Sequence, residues 1–321
     1  MKQSAIAYFI TFVLAALMAP RLIPLLKRLK FGQTEREEGP ESHKVKSGTP
    51  TMGGFIFIVP VSIVTLLIGG FSYDTFIPVT AMLLFGLIGF IDDYIKVVKK
   101  HNLGLRAYQK LILQFCFALI VAFLHLKYSE HGTSVYLPFT DKLWDMGYLL
   151  YFPFMVLLLT AVSNSVNLTD GLDGLCTSVT AIVAFFFFMI SRDIQMEGLR
   201  TFTASLIGGC VGFLGVNRYP AKVFMGDTGS MALGGAVAAC AVLLHAPLIL
   251  PIVGIIYVAE ALSVIIQVIS FKTTGKRVFR MSPLHHHFEL GGWSENKITL
   301  VFVAITFLCS IIGLMGLSKI Y

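Results

Sequence analysis

The stretch LLYFPFMVLLLTAVSNSVNLTDGLDGLCTSVTAIVAFFFFMI, residues 149–190, decides the fold. Two apolar runs, Leu149–Val162 and Ser178–Ile190, close on a polar centre, Asn164–Leu175. The runs read as membrane spans and the centre as their connection. Asp170 and Asp173 are each followed by a glycine. Ionised Asp offers only acceptor oxygens, and Gly171 and Gly174 permit a tight turn and close backbone approach. Helix capping by Asn and Asp, with termination by Gly, would produce a similar stretch. Three more connections carry comparable residues, which favours a site for a polar ligand at the edge of a membrane.

The pattern extends outward over the whole chain. Of 321 residues, 56% are hydrophobic and 13% charged. A soluble domain carries about 25% charged residues, and apolar stretches of about 18 or more residues are long enough to span a bilayer. The expectation is a single all-α polytopic membrane bundle of about ten spans. These are Ser4–Leu26, Gly54–Gly70, Thr75–Val97, Leu105–Leu126, Met146–Val162, Cys176–Ser191, Leu199–Val216, Met231–Ala246, Leu248–Ser270 and Lys297–Leu317. The five cysteines lie in or beside these spans without a CxxC, so they read as small buried hydrophobes.

Charge sets the sidedness. Lys27, Arg28 and Lys30 follow the first span while only Lys2 precedes it, the reverse of a signal peptide. Most of the 25 Lys and Arg border loops 27–53, 98–104, 217–230 and 271–296; Lys2, Lys127, Lys142, Arg192, Arg200 and Lys319 fall on the other side. The positive-inside rule then puts these loops, with 163–175, in the cytoplasm and both termini outside. The net charge of +7 reflects those loops and implies no nucleic-acid partner.

The same side collects the unusual polar residues: Lys46, Thr51, Asp92, Asp93, Lys96, Lys100, Asn167, Asp170, Asp173, Asn217, Asp227 and His285–His287. An Asp at a helix centre costs roughly 2.5–3.5 kcal/mol on insertion scales, so acids at helix ends avoid much of that cost. Several Asp and Lys with Gly-rich turns suit a hard cation holding phosphate oxygens, with magnesium the best match. Adjacent helical residues point about 100° apart, so Asp92 and Asp93 should differ in role. One would meet phosphate or metal and the other hold a basic residue. Gly226–Ser230 opens a helix whose amide end favours an anion. Three consecutive His with no nearby Cys do not make a zinc site. Glu260 lies inside the ninth span and reads as a carboxylate bonded within the bundle. Membrane acids also serve transporters, but those sites sit near the midplane in paired repeats. No internal repeat is evident here.

Five motifs together carry a resemblance: GTPTMGG (Gly48–Gly54), the Asp92-Asp93 pair, NLTDGLDGL (Asn167–Leu175), FMGDTGS (Phe224–Ser230) and SPLHHHFE (Ser282–Glu289). In this order, along nearly the whole chain, they resemble the polyprenyl-phosphate N-acetylhexosamine-1-phosphate transferases. The His run before Phe288-Glu289 points to the branch using UDP-N-acetylmuramoyl-pentapeptide rather than simpler UDP-sugars. The resemblance implies transfer of the phospho-sugar to undecaprenyl phosphate, with release of UMP, in the bacterial cytoplasmic membrane. It implies Asp227 as the Mg2+ ligand. Asp92 is expected to deprotonate or orient the lipid phosphate, with Asp93 supporting it. Lys96 and Lys100 would hold phosphate. Asn167, Asp170 and Asp173 would bind the nucleotide, with Phe224 stacking on uracil. Lys46, Thr51, Asn217 and Gln267 would line the pocket. His285 and His286 would contact the phosphate or sugar-peptide part, with His287 beside them. Direct attack by the lipid phosphate is favoured over a phospho-enzyme through an Asp, because a deprotonated phosphate is already a nucleophile. A homodimer is a plausible assembly.

Overall fold

The computed structural model describes residues 2–29, 48–97, 104–129, 131–140 and 142–317; Lys46 and Lys100 lie outside the described residues. In chain order the elements begin with α1 (Lys2–Arg28), α2 (Phe55–Gly69), α3 (Tyr73–Val97) and α4 (Ala107–Tyr128). A short antiparallel hairpin, β1 (Ser134–Tyr136) with β2 (Leu143–Asp145), precedes α5 (Gly147–Thr169), α6 (Leu175–Asp193), α7 (Glu197–Asn217) and α8 (Gly226–Leu243). A 3-10 turn at Pro247–Ile249 leads into α9 (Leu250–Val253), α10 (Ile255–Thr274), α11 (Leu284–Glu289) and α12 (Glu295–Leu317).

The protein is a helical multi-pass membrane bundle. Among the described residues nine helices, α1, α3–α8, α10 and α12, are long and apolar enough to cross a bilayer. Helix α2 has only 15 residues, so it measures about 22 Å at ~1.5 Å per residue against a hydrocarbon core of about 30 Å. Large apolar side chains such as Leu149, Leu67, Phe71 and Leu300 stand exposed on the rim, where lipid takes the place of a protein neighbour.

Helix α8 is the axis. Every residue in it except Asp227 is buried. Its sequence, GDTGSMALGGAVAACAVL, is dominated by small residues, and these let neighbouring backbones come close where lipid supplies no hydrophobic drive between helices. A Cβ on Gly89 of α3 would sit 2.0 Å from the Asp227 carbonyl oxygen, and one on Gly234 would sit 2.5 Å from Ser163 Cα of α5. Packing against α8 therefore draws the ends of α3 and α5 together at its N-terminus.

Four local features differ from the sequence expectation. Helix α5 runs on to Thr169 instead of ending at Val162, because Asn164 exchanges amide hydrogen bonds with Gln114 at 3.2 and 3.1 Å. Helix α8 starts at Gly226, because Asp93 supplies acceptors to its first amides. The ninth span is broken at Gly254, between α9 and α10. The connection after α4 contains the hairpin, which docks through Tyr136 N–H on His245 O at 2.6 Å and Phe139 N–H on Gly316 O at 2.7 Å. Of the cysteines, Cys176, Cys210 and Cys240 are buried; Cys309 is half-buried and Cys116 faces outward.

Candidate active site

The ends of α3, α5 and α8 meet with the start of α4. Asp92 and Asp93 come from the last turns of α3 and Asp227 from the first turn of α8, and their carboxylate oxygens lie within 4.8 Å of one another. Asp92 and Asp93 are buried. Three carboxylates this close repel unless cations or donors surround them.

The compensation is specific. Lys96 Nζ is ion-paired with Asp92 Oδ2 and lies 3.0 Å from Asp227 Oδ2. Lys110 Nζ lies 3.0 Å from the same Asp227 oxygen. Asn167 Nδ2 donates to Asp227 Oδ1 and to Ser230 Oγ, both at 2.8 Å. The Leu105 N–H donates to Asp92 Oδ1 at 2.8 Å. The sequence marks Ser230 only as part of the Gly226–Ser230 helix start and does not mark Lys110 as a site residue. Lys110 reads there as one more basic residue beside a loop; its position one turn inside an apolar helix was the available signal.

Asp93 has a separate role. It accepts from Asp227 N–H at 3.2 Å, Thr228 N–H at 2.8 Å and Thr228 Oγ1–H at 2.6 Å. Those amides are the orphan donors at the start of α8, and such a cap is worth ~1 kcal/mol. The adjacent acids thus divide: Asp92 pairs with a lysine, while Asp93 fixes the helix that carries Asp227. Gly226, at φ +70°, lets the backbone turn beside Asp93, where a Cβ would fall 2.6 Å from both Asp93 Oδ2 and Thr51 Oγ1. Thr51 is buried and, among the described residues, its hydroxyl has no hydrogen-bond partner. Its segment is strapped to the chain before α8 by Gly53 N–H on Phe224 O at 2.8 Å and Phe224 N–H on Pro50 O at 2.9 Å.

The loop between α5 and α6 borders this cluster. Asp170 is half-buried, and its carboxyl is held well above the usual range by burial and by the charges of Asp227, Asp93 and Asp173. Asp173 accepts from Ala221 N–H at 2.8 Å, and its own N–H donates to Glu295 at 3.2 Å. Asn217 is buried; it accepts from Thr177 at 2.9 Å and donates to Val223 O at 3.1 Å. Phe224 is half-buried.

Gln267 and the histidines form a second group. Gln267 closes the turn before α11, donating to Phe279 O at 3.1 Å and accepting from Val278 and Phe279 N–H at 3.0 and 2.9 Å. His287 Nδ1 accepts from Arg280 N–H at 3.1 Å. His286 Nδ1 lies 3.0 Å from Glu289 Oε2. His285 is buried against Gly171 and Glu260. The structure thus gathers Asp92, Asp93, Lys96, Asn167 and Asp227 in one direct network. Asp170, Asp173, Thr51 and Asn217 flank it, and α11 covers the loop from the far side.

The donor set fits a magnesium ion: hard oxygens, with enough acid to replace part of an aqua shell. In this geometry Lys96 and Lys110 offset the charge of the acids.

Residues 75–245 match the family model described as glycosyl transferase family 4. The chain is 50% identical over 315 residues to a phospho-N-acetylmuramoyl-pentapeptide-transferase of Heliobacterium modesticaldum, covering 98% of both chains. A protein of the same name from Acetivibrio thermocellus is 51% identical over 313 residues, covering 97% of this chain and 94% of the relative. One from a Thermoanaerobacter species is 49% identical over 318 residues, covering 99% and 100%. With half of its residues shared along nearly its full length, this chain belongs to the phospho-N-acetylmuramoyl-pentapeptide-transferase family, within glycosyl transferase family 4.

Proposed function

We propose that this protein transfers phospho-N-acetylmuramoyl-pentapeptide from its UDP conjugate to undecaprenyl phosphate, forming the first lipid-linked peptidoglycan precursor and releasing UMP. The observation that carries the reading is the convergence of Asp92, Asp93 and Asp227 within 4.8 Å in a chain half-identical to transferases of that name. The active end faces the cytoplasm, where the soluble nucleotide sugar is available, and the lipid phosphate reaches it at headgroup level.

The lipid phosphate oxygen attacks the phosphorus bearing the sugar, and the bond to the bridging oxygen breaks, with UMP taking the electron pair. Asp227 would hold Mg2+, with Asp92 nearby. The ion would supply charge neutralisation across both phosphates. Asp92 orients the lipid phosphate or takes its proton. Asp93 holds Asp227 in place through the cap on α8. Lys96 and Lys110, both 3.0 Å from Asp227, shift onto phosphate oxygens and offset the charge brought by the substrates. Lys100 is a further phosphate ligand and Lys46 lines the pocket; both lie outside the described residues. Asn167, Asp170, Asp173, Asn217 and Thr51 bind the nucleotide side, with Phe224 stacking on uracil and Gln267 shaping the wall. His285, His286 and His287 serve the sugar-peptide side.

The test is UMP release in detergent with both substrates, with and without Mg2+. Activity that survives a chelator would remove the metal from the reading. Replacing the donor by UDP-N-acetylglucosamine tests the donor. A faster rate with the simpler sugar would overturn the muramoyl assignment and leave phospho-sugar transfer intact.

A further inference from the structure

Glu260 of α10 is fully buried. A carboxylate withdrawn from water inside a membrane bundle needs a partner. Both of its oxygens turn to one residue. Oε1 lies 3.2 Å and Oε2 3.4 Å from the His285 backbone nitrogen, which donates to them. Oε1 also lies 3.1 Å from His285 Nδ1. That second approach is not aligned as a hydrogen bond, so the amide makes the aligned contact and the ring nitrogen stands beside the carboxyl.

The opposite edge of the ring meets the loop between α5 and α6. A Cβ on Gly171 would fall 2.0 Å from His285 Nε2 and 2.4 Å from Cε1. No side chain fits there while the imidazole holds its place. Nε2 is buried and, among the described residues, has no hydrogen-bond partner. The ring of His286 lies 4.2 Å from that of His285. A chain of contacts therefore runs from Glu260 through His285 to the loop carrying Asp170 and Asp173.

Glu260 also stands nearer the active end than its place in the ninth span implies. Tyr257, one turn earlier, bonds Thr180 near the start of α6 at 2.7 Å. A plug for packing alone would be served as well by apolar groups of similar volume, since replacing a buried ion pair that way is often neutral or stabilising. The polar pair instead holds a ring whose Nε2 edge faces the substrate loop.

We propose that Glu260 is a positioning residue for the transfer reaction. Through His285 it sets the spacing and orientation of α11 against the Asp170–Asp173 loop. This rests on the reading that α11 and the loop together form the donor-sugar side of the site.

The experiment compares Glu260→Gln, His285→Asn, Gly171→Ala and the Glu260→Gln/His285→Asn double variant, in the full chain in detergent. UMP release is measured against donor and acceptor concentration, with Tm beside it. Supporting partners of this kind are worth about 10–100-fold in activity. Glu260→Gln, close to isosteric, should lower kcat/KM for the donor by about that factor, leave the acceptor KM unchanged and hold Tm near that of the parent. In the His285→Asn background it should cost nothing more, because both changes cut one chain. Parent-like donor kinetics in Glu260→Gln, or full additivity with His285→Asn, would overturn the proposal. If His285→Asn and Gly171→Ala are themselves silent, the assignment of the donor side fails first and takes the proposal with it. A Tm loss with unchanged kinetics in the folded fraction reduces Glu260 to packing and also overturns it.

Discussion

Helix α3 carries a buried acid at each end, and both do the same structural work. At one end Asp74 accepts from Gly198 and Leu199 N–H at 2.8 and 3.3 Å, capping the start of α7. At the other, Asp93 caps the start of α8. The surroundings differ. Beside Asp74 stands one ion pair, Arg200 Nη2 at 2.9 Å from Glu197 Oε1; at the same end of the bundle His125 lies 2.6 Å from the Tyr151 hydroxyl, and His245 lies 3.1 Å from Ser129 Oγ and 3.0 Å from Ser134 O. Around Asp93 stand two more carboxylates within 4.8 Å and two lysines. A buried acid in a membrane helix is thus no mark of chemistry by itself, because capping accounts for it. The mark is acid in excess of what capping requires, with cations drawn in to compensate.

That contrast can be broken by substitution. The largest effect should come from Asp227→Asn, which removes the acid that both lysines and Asn167 converge on. UMP release should fall on the order of 10³-fold with Tm little changed; a rate within tenfold of the parent would end the active-site assignment. Next come the paired caps. Asp93→Ala and Asp74→Ala should each cost about 0.5–2 kcal/mol in stability, read as a drop in Tm. Only Asp93→Ala should also depress the rate, because only its cap positions Asp227. Equal kinetic losses from both would erase the distinction between the two ends.

The glycines sharpen it further. Gly89→Ala drives a methyl to 2.0 Å from the Asp227 carbonyl, whereas Gly198→Ala meets the Asp74 side chain at 2.4 Å. Backbone cannot yield as a side chain can, so Gly89→Ala should lower both Tm and rate, and Gly198→Ala should lower Tm alone. Chelator titration of the two proteins separates a moved metal site from a loosened bundle.

The smallest effect concerns pH at the other end. Burial, with His131 close by, holds the His245 imidazole below its ordinary range, against the pull of Ser134 O on its Nδ1–H. The unfolded chain then binds this proton more readily than the folded one, so stability falls as pH drops below about 6.5. His245→Gln should flatten the acid side of a Tm-against-pH curve without altering UMP release at neutral pH. Asp170 runs the opposite way at the active end. Its raised value means it gains a proton at milder acidity than an ordinary carboxylate. Asp170→Asn should therefore remove part of the acid limb of the rate profile.

Much of this was legible in the residues. Apolar runs of bilayer length and the bias of Lys and Arg to alternate loops determine a helical membrane bundle without reference to any contact. The five motifs, in order, single out the family and the acids on which its chemistry is expected to fall. What tertiary structure alone decided is the division of labour. Helix geometry predicts only that Asp92 and Asp93 differ in role; that Asp92 holds Lys96 while Asp93 caps α8 follows from the approach of α3 and α8 at Gly89. Lys110 and Asn167 reach Asp227 from positions 117 and 60 residues away in sequence. Glu260, buried in mid-span by hydropathy, belongs to the active end because the chain breaks at Gly254 and its partner is a histidine 25 residues on. Hydropathy and charge are properties of single segments, so the chain displays them directly. Pairing between helix ends depends on which small residues let which backbones touch, and that is set only when the bundle packs.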